Sequence, residues 1–517
     1  MNEEIAEYYE ELYRLYIDEN QPLERRYRQL RESLERVVRE RIQGNSLQTT
    51  DLAARINYVA TQYELDIKEQ NQLHTFRLTS NDILNHRKFP AKEEFLRDLR
   101  AVAFAYRKMF AQDIPLKLFS VLPKQEITSL GKKEKKEYIR RIRVCFDYAD
   151  DTYLYVHPVD IIADEPIRVV YNKPGINHEF EETIKELWRY AQLNLLDVFV
   201  DREGIYTPSF IVLEPDYLID ISSLAECYKD YGSHPANYFL SRLVPIDNAR
   251  PLLLGNIANL FLDEWIHAGE EEPDYIDCMK KAFRQYPIEL AACAELRDPS
   301  KEKEFAKDCR MHFEHIRDIV QHTFLEPGYN LDKKDAVLEP SYICEALGIQ
   351  GRLDYMQRDM SSFIEMKSGK ADEFSIQGKV EPKENNKVQM LLYMAVLEYS
   401  MGQDRRRMHP YLLYTRYPLL YPARASWAQV RRVINLRNRI VAAEYGVQFH
   451  NHSDFTRNLL AQINPEVMNE RKLRGRFWEQ YLKPSISRFR EKLSALEPLE
   501  QAYFYTPVSY THLTLPT

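Results

Sequence analysis

The stretch that decides the fold reads Gly348-Ile-Gln-Gly-Arg-Leu-Asp354, then, after a short polar gap, Phe363-Ile-Glu365-Met-Lys367-Ser-Gly369, and finally Gln389-Met-Leu-Leu-Tyr393. The gap, Gln357 to Ser362, has the length of a hairpin connection between two strands. Side chains alternate along a strand, so Phe363, Glu365 and Lys367 share one face while Ile364 and Met366 take the other. If the two strands pair, a carboxylate and an ammonium meet beside Asp354. Two carboxylates can hold Mg²⁺ or Mn²⁺, hard cations that prefer oxygen ligands. Such an ion polarises a phosphoryl oxygen and steadies the leaving alkoxide. A lysine beside it can orient or deprotonate water, because burial near positive charge lowers its pKa. The expectation is a phosphodiester-cleaving centre with Asp354 and Glu365 as metal ligands and Lys367 preparing the water.

Context, rather than the Glu-x-Lys triplet, carries this reading. The triplet recurs at Glu134–Lys136 and Glu381–Lys383, in charged runs without an apolar strand. Only Glu365–Lys367 has an aspartate on a preceding strand, a following Ser-Gly turn and a helix behind it. That helix is expected from near Asn385 to Gly402, with Gln389 and Tyr393 four residues apart on one face. Those two side chains read either as positioning groups or as the polar edge of a core helix. The bland reading of the whole set is an exposed surface hairpin.

In order, Gly-x-x-Asp, Glu-x-Lys and Gln-x-x-x-Tyr resemble the signature of the RecB-like branch of the PD-(D/E)xK nuclease superfamily. More narrowly, the run looks like the nuclease region of the Okazaki-fragment-processing nuclease–helicases. Leu338-Glu-Pro-Ser341, Tyr411-Leu-Leu-Tyr414 and Arg437-Asn438 before Ile440-Val441 support the resemblance, which spans residues 217–445. It implies an α/β (α+β) restriction-endonuclease-like core in the order α-β-β-β-α-β. The elements are a helix over 255–267, extended by 299–323, strands over 342–346, 350–356 and 362–367, a helix over 385–401 and a strand over 410–416. It also implies a metal-dependent nuclease acting on single-stranded DNA ends or flaps in replication or repair. Gln389 and Tyr393 would position the scissile strand or the lysine.

Two departures from the family pattern matter. Gly255–Asp263 resembles the helix on which this family carries a metal-ligating histidine, and the matching position here is Asn259. An amide oxygen can ligate a hard cation or hold its water, more weakly than a good ligand. Many relatives also hold a four-cysteine cluster, with one cysteine before this helix and three after the Gln-x-x-x-Tyr helix. Cys227 fits the first place, but no cysteine follows Cys344; four thiolates are needed, so no iron–sulfur cluster is expected. Asn259 keeps open a second reading, a catalytically weak nuclease-fold module that grips DNA. A third is a stand-alone CRISPR-associated RecB-like exonuclease, opposed by the long N-terminal region and the absent cysteine trio.

The whole-chain quantities set bounds. With 517 residues, 15 glycines and 44% apolar residues, the chain is expected to be globular, helix-rich and divided into domains. A net charge of −8 argues against a generally basic nucleic-acid coat. Between Ile364 and Ile440, however, 14 lysines and arginines face 7 acids, which suits either a phosphate backbone or a solvated helical face. Six scattered cysteines without a C-x-x-C pair point to reduced thiols. No membrane-spanning run and no secretory h-region are read, so a cytoplasmic location is expected.

Residues 1–115 read as a helical region, from the three- and four-residue recurrence of Ile5, Tyr8, Tyr9, Leu12, Leu15 and Tyr16 and from Lys92–Phe110. Residues 116–216 read as a small β-rich domain with a helix expected over 180–196, and the resemblance to the nuclease–helicases implies a barrel of the oligonucleotide-binding type there. The basic stretch Lys132 to Arg143 reads as a strand-contacting loop or a solvated turn. On the helix near Lys301–Phe324, Cys309, His312, His315 and His322 suggest zinc. Without a second element to supply ligands, the segment is read as a packing helix. Tyr411, Tyr414, Tyr417 and Tyr421 interleave with Arg416, Arg424, Arg431 and Arg432. Stacking on unpaired bases and ordinary packing both fit. Arg352, Arg416 and Tyr414 are the nucleic-acid contacts this suggests, with a surface salt bridge the other reading of Arg352.

Residues 446–507 are expected to be helical, leading in the resembling family toward a helicase. No Gly-x-x-x-x-Gly-Lys-Ser/Thr loop occurs, so no ATP site is expected in this chain. Residues 508–517 resemble translated adapter read-through, which suggests a truncated reading frame whose C-terminal helicase domain is missing.

Overall fold

The computed structural model describes residues 3–42, 51–123, 138–160, 163, 165–243, 250–329, 331–374, 379–424, 426–449 and 453–505. The basic residues of 132–137 and the tail 508–517 lie outside them. The protein is a mixed α and β structure with several sheets. It divides into two compact units, residues 1–214 with 441–452, and residues 215–440 with 453–506.

The first unit opens with five helices, Glu3–Ile17, Leu23–Arg41, Leu52–Gln62, Ile67–Leu84 and Lys92–Phe110. The third and fourth are additions to the expected set. Asp51 caps one, and Asp66 with Glu69 forms a capping box on the other. Strands β1 (Tyr138–Ala149), β2 (Tyr153–Pro158), β3 (Ile167–Val170), β4 (Gln192–Val200), β5 (Tyr206–Thr207) and β6 (Phe210–Leu213) follow. Their pairing runs β1-β2-β3-β5-β4 and returns to β1, with β6 added beside β4. The five strands therefore close into a ring, in which β3–β5 is the parallel contact.

The helix expected over 180–196 is corrected. Only Glu181–Lys185 is α-helical, and Gln192–Val200 is the strand β4 at the heart of the ring. Paired with β1, β5 and β6, β4 is buried almost throughout, Gln192 and Asn194 included, so its burial does not follow the polar–apolar alternation that marks a half-buried strand. Tyr190 and Cys145 from the sheet region join the apolar core of the five helices, so the two N-terminal regions share one interior.

In the second unit the strands are β7 (Ile219–Asp220), β8 (Ala336–Leu338), β9 (Ser341–Cys344), β10 (Ile349–Arg352), β11 (Tyr355–Gln357), β12 (Ser362–Lys367), β13 (Asp372–Phe374), β14 (Lys379–Glu381), β15 (His409–Tyr414) and β16 (Leu419–Pro422). One sheet has the order β7-β10-β9, another β16-β15-β12-β11-β8. Strand β12 runs parallel to β15, and the chain between them carries the helix Glu384–Met401, ended by Gly402 in the left-handed conformation. The hairpin across 357–362 forms, pairing Tyr355 with Ile364 and Met356 with Phe363.

The single strand expected over 350–356 is instead two, because the chain changes sheets at Leu353–Asp354. Its partner breaks at the same level, where Glu339 takes φ 48 before Pro340. Two backbone bonds span the break, Leu353 N to Pro340 O at 3.1 Å and Glu339 N to Asp354 O at 3.1 Å. This bend turns Asp354 and Glu339 out of the ladder. One face of the larger sheet, including Tyr355, Ile364, Met366, Tyr411 and Leu413, packs with the helices Arg250–His267 and Pro299–Gln321 in one apolar cluster.

Two further helices, Tyr275–Gln285 and Pro287–Ala292, lie between those two in sequence and were not expected. The C-terminal helical region, with Leu460, Ile463, Met468, Trp478 and Ile486, builds a small separate cluster with Tyr231 and Ala236. Among the described residues no helix is long and apolar enough to cross a membrane.

Candidate functional site

Alternation along β12 separates its two faces as expected: Ile364 and Met366 enter the apolar cluster, while Glu365 and Lys367 meet on the other side. Lys367 Nζ donates to Glu365 Oε1 at 2.9 Å and to Gln389 Oε1 at 2.8 Å. Gln389 Nε2 donates to the same Glu365 oxygen at 2.6 Å and to Ser222 Oγ at 3.1 Å. The amide of Gln389 thus clamps both members of the Glu-x-Lys pair and ties them to the short helix Ile221–Ala225. Asp354 joins from the sheet bend, its Oδ2 accepting the Met366 N–H at 2.7 Å. Tyr393, one turn beyond Gln389, donates to the Arg352 carbonyl at 2.5 Å. The close approach of its ring explains Gly351. A Cβ there would lie 3.2 Å from Tyr393 Cε1 and 3.0 Å from Ile221 Cδ1.

The electrostatics follow from burying charge in little space. Burial first, then the neighbouring Asp354, pushes the Glu365 carboxyl up to about 8, against the opposing pull of Lys367. Asp354 is likewise raised, by burial, with the Met366 N–H and Lys367 working the other way. For Lys367, burial favours the neutral amine, but Glu365 and Asp354 outweigh it and the net shift is upward. The expected depression depends on positive charge beside the lysine, and the groups that face it here are the carboxyls of Glu365 and Asp354. With both carboxylates beside it, this lysine is held as a cation.

Donor chemistry fits a hard divalent ion in one respect and limits it in another. Glu365 is 4% exposed, and its Oε2 is buried with no hydrogen-bond partner. An orphaned carboxylate oxygen is costly unless something arrives to use it. Among the described residues, no three His, Cys, Asp or Glu side chains converge closely enough to hold a metal ion by themselves. Mg²⁺ commonly binds through one or two carboxylates and keeps several waters, which suits Asp354 with Glu365.

Asn259 sits on the helix Arg250–His267, half-buried, on the face that also carries Gly255 and Asp263. Gly255 faces Ser368, whose Oγ would be 3.3 Å from a Cβ placed there. Asp263 was not read from the sequence, yet its carboxyl is pushed up to about 6, by burial and then by Glu339, with Asp354 adding to the effect. No motif marks Asp263; the signal was its place one helical turn after Asn259, on the same face.

The expected nucleic-acid contacts fare unevenly. Arg352 is exposed and pairs with Glu339 at 3.2 Å. Arg416 is half-buried just after β15. Tyr414 is corrected: it is fully buried, and its hydroxyl accepts from Lys383 N at 3.1 Å and Asn386 Nδ2 at 2.6 Å, so no base can stack on it. Strand β15 lies between β12 and β16, and its Tyr411 and Tyr414 are both buried as packing groups.

Elsewhere, Cys309 and His312 are buried in the packing helix, and burial pushes His312 down to about 4. His315 donates to the Thr415 carbonyl, at 3.0 Å. Cys227 is a buried thiol that donates to Ser223 O at 3.3 Å. No family model matches the chain, and no curated protein matches it.

Proposed function

We propose that the chain is a metal-dependent DNA nuclease of the RecB-like PD-(D/E)xK kind, hydrolysing phosphodiester bonds of single-stranded ends or flaps and natively fused to a helicase. The observation that carries this reading is the orphaned, buried Glu365 Oε2 beside Lys367, Gln389 and Asp354. Asp354 and Glu365 are the residues that would hold Mg²⁺ or Mn²⁺. Such an ion, when bound, supplies Lewis-acid polarisation of the phosphoryl group and stabilisation of the leaving oxygen.

The remaining roles belong to the chain itself. Lys367, held charged, donates hydrogen bonds that orient the attacking water or a phosphate oxygen. Gln389 fixes Lys367 and Glu365 relative to each other, and Tyr393 fixes the backbone at Arg352 just before Asp354. Such supporting contacts typically matter 10–100-fold, as an order of magnitude. The closed five-strand ring of the first unit is consistent with the oligonucleotide-binding barrel that the resemblance implies.

The test is a labelled single-strand oligonucleotide incubated with Mn²⁺, comparing the wild type with Asp354→Ala and Lys367→Ala. Each substitution is expected to lower cleavage more than about a hundredfold while the thermal midpoint persists. A second reading, a nuclease-fold module that grips DNA without cutting, is favoured by Asn259 at the usual histidine position and by the small number of converging ligands. Binding with no cleavage product from the wild type selects it.

A further inference from the structure

The last helical segment of the second unit carries a surface that the site does not use. Between Arg471 and Arg490 there are seven lysines and arginines against a single glutamate, in a chain whose net charge is −8. Arg471 pairs with Glu384 at 2.5 Å and Lys483 with Glu479 at 3.2 Å. Among the described residues, Lys472, Arg474, Arg488 and Arg490 have no carboxylate partner, and all four are exposed. Amid these cations stand two exposed rings, Phe477 at 56% and Tyr481 at 65%, with centroids 5.9 Å apart.

A single exposed aromatic needs no explanation, and a solvated helical face normally mixes both signs of charge. An adjoining pair of rings within a run of one sign is different. It provides the two elements a single-stranded nucleic acid needs, a π surface for unstacked bases and cations for the backbone.

The surface is anchored, and its place is fixed. Trp478, between the two rings in sequence, is buried against Tyr231, with centroids 5.8 Å apart. The chain from Trp478 to Leu482 is wound as a π-helix, a form that recurs at functional sites. Arg471 N donates to Tyr231 O at 3.1 Å, and Glu470 accepts from Ser233 N at 2.8 Å. The Arg471–Glu384 pair then joins the start of this surface to the first residue of the helix that carries Gln389. Gln389 lies five positions after Glu384 on this helix, about 7.5 Å of rise. Asn385, next to Glu384, bonds Glu226 at 3.0 Å, in the segment whose Ser222 receives Gln389.

We infer that the exposed face formed by Arg474, Arg476, Phe477 and Tyr481 is a track for single-stranded nucleic acid, running from the C-terminal helical region toward the Glu365–Lys367 site. That the strand is then cut rests on the nuclease reading; that it binds here does not.

The experiment therefore measures binding without metal. A short fluorescein-labelled oligothymidylate is titrated by anisotropy in EDTA against the full chain, over a range of salt. Arg474→Ala with Arg476→Ala should weaken binding about tenfold or more and lower the salt slope by about 1.4, the value for two lost single-strand phosphate contacts. The lysine pair Arg474→Lys with Arg476→Lys should retain both affinity and slope. Phe477→Ala with Tyr481→Ala should weaken single-strand binding about tenfold while sparing a duplex of the same length.

Unchanged affinity in both alanine pairs, or no binding by the wild type, overturns the track. So does equal loss for duplex and single strand with the aromatic pair neutral, which would mark a general polyanion surface. Affinity lost in the variants, with no product from the wild type in Mn²⁺, keeps the track and removes the cleavage.

Discussion

Individual side chains in this protein are arranged around the cost of burying charge, and His74 in the first unit illustrates it away from any site. Its Nε2–H reaches Asn57 Oδ1 at 2.8 Å, and its Nδ1 accepts from Arg77 Nε at 3.5 Å, which fixes the neutral tautomer. Burial first, and then the Arg77 cation, pushes the imidazole down to about 3. A histidine whose folded pKa lies below its unfolded value, about 6.5, binds fewer protons when folded. Its contribution to stability is therefore complete above pH 6.5 and is lost as the pH falls toward 3. Thermal midpoints measured from pH 8 down to pH 5 should drop faster for the wild type than for His74→Gln. Parallel curves would refute the assignment. At this scale the sequence was informative where chemistry repeats a spacing: Asp354, Glu365, Lys367, Gln389 and Tyr393 do assemble. Ser222 was not legible, because it reaches the site through tertiary packing and belongs to no local pattern, and Asp263 offered only its helical spacing from Asn259.

Elements position those side chains, and two glycines show how tightly. Gly351 leaves room for the Tyr393 ring, and Gly348 turns the chain from β9 into β10 at φ 64. The fully buried Arg437 covers Gly348, donating to its carbonyl at 3.1 Å and, through Nη2, to the Tyr217 carbonyl. A Cβ at position 348 would collide with the guanidinium, whose Nε would be 2.8 Å away. Left-handed backbone costs a non-glycine residue about 1–2 kcal/mol, and displacing a buried arginine from its carbonyls adds about 1–3 kcal/mol more. Gly348→Ala should therefore destabilise the protein by roughly 2–5 kcal/mol, read as a lower denaturant midpoint at unchanged m-value. A shift within error would show that the arginine moves aside freely. Element boundaries were legible where caps and periodicity agree, as for Lys92–Phe110 and Glu384–Met401. They were not where burial removes alternation, as in β4, or where a strand changes sheets, as at Leu353–Asp354. In both places the pattern is set by partners far away in sequence.

Across the whole molecule, buried polar groups fall into two kinds. In one, seen in the first unit, buried polar groups pair among themselves, as in the Asn57–His74–Arg77 set and in Asp98, whose carboxylate accepts from Tyr27 at 3.1 Å. The second unit leaves Glu365 Oε2 unpaired beside a second carboxylate. If that imbalance exists to receive a divalent ion, adding the ion should stabilise the second unit specifically. At a free concentration ten times the dissociation constant, the gain is about 1.4 kcal/mol, or about 3–5 °C in a unit of this size. Protons compete for the same oxygens, so the raised Glu365 carboxyl makes the gain largest above about pH 8, and it should shrink as the pH falls to 6. Glu365→Gln should abolish the shift at every pH while keeping the Gln389 and Lys367 contacts within reach. Hydrogen exchange, compared with and without Mn²⁺, locates the effect. Protection should rise in β12, around Asp354 and in the helix bearing Gln389, and remain unchanged in the five N-terminal helices. Protection spread evenly over both units, or a shift that survives Glu365→Gln, would mean that the ion binds elsewhere and that the orphaned oxygen has another purpose.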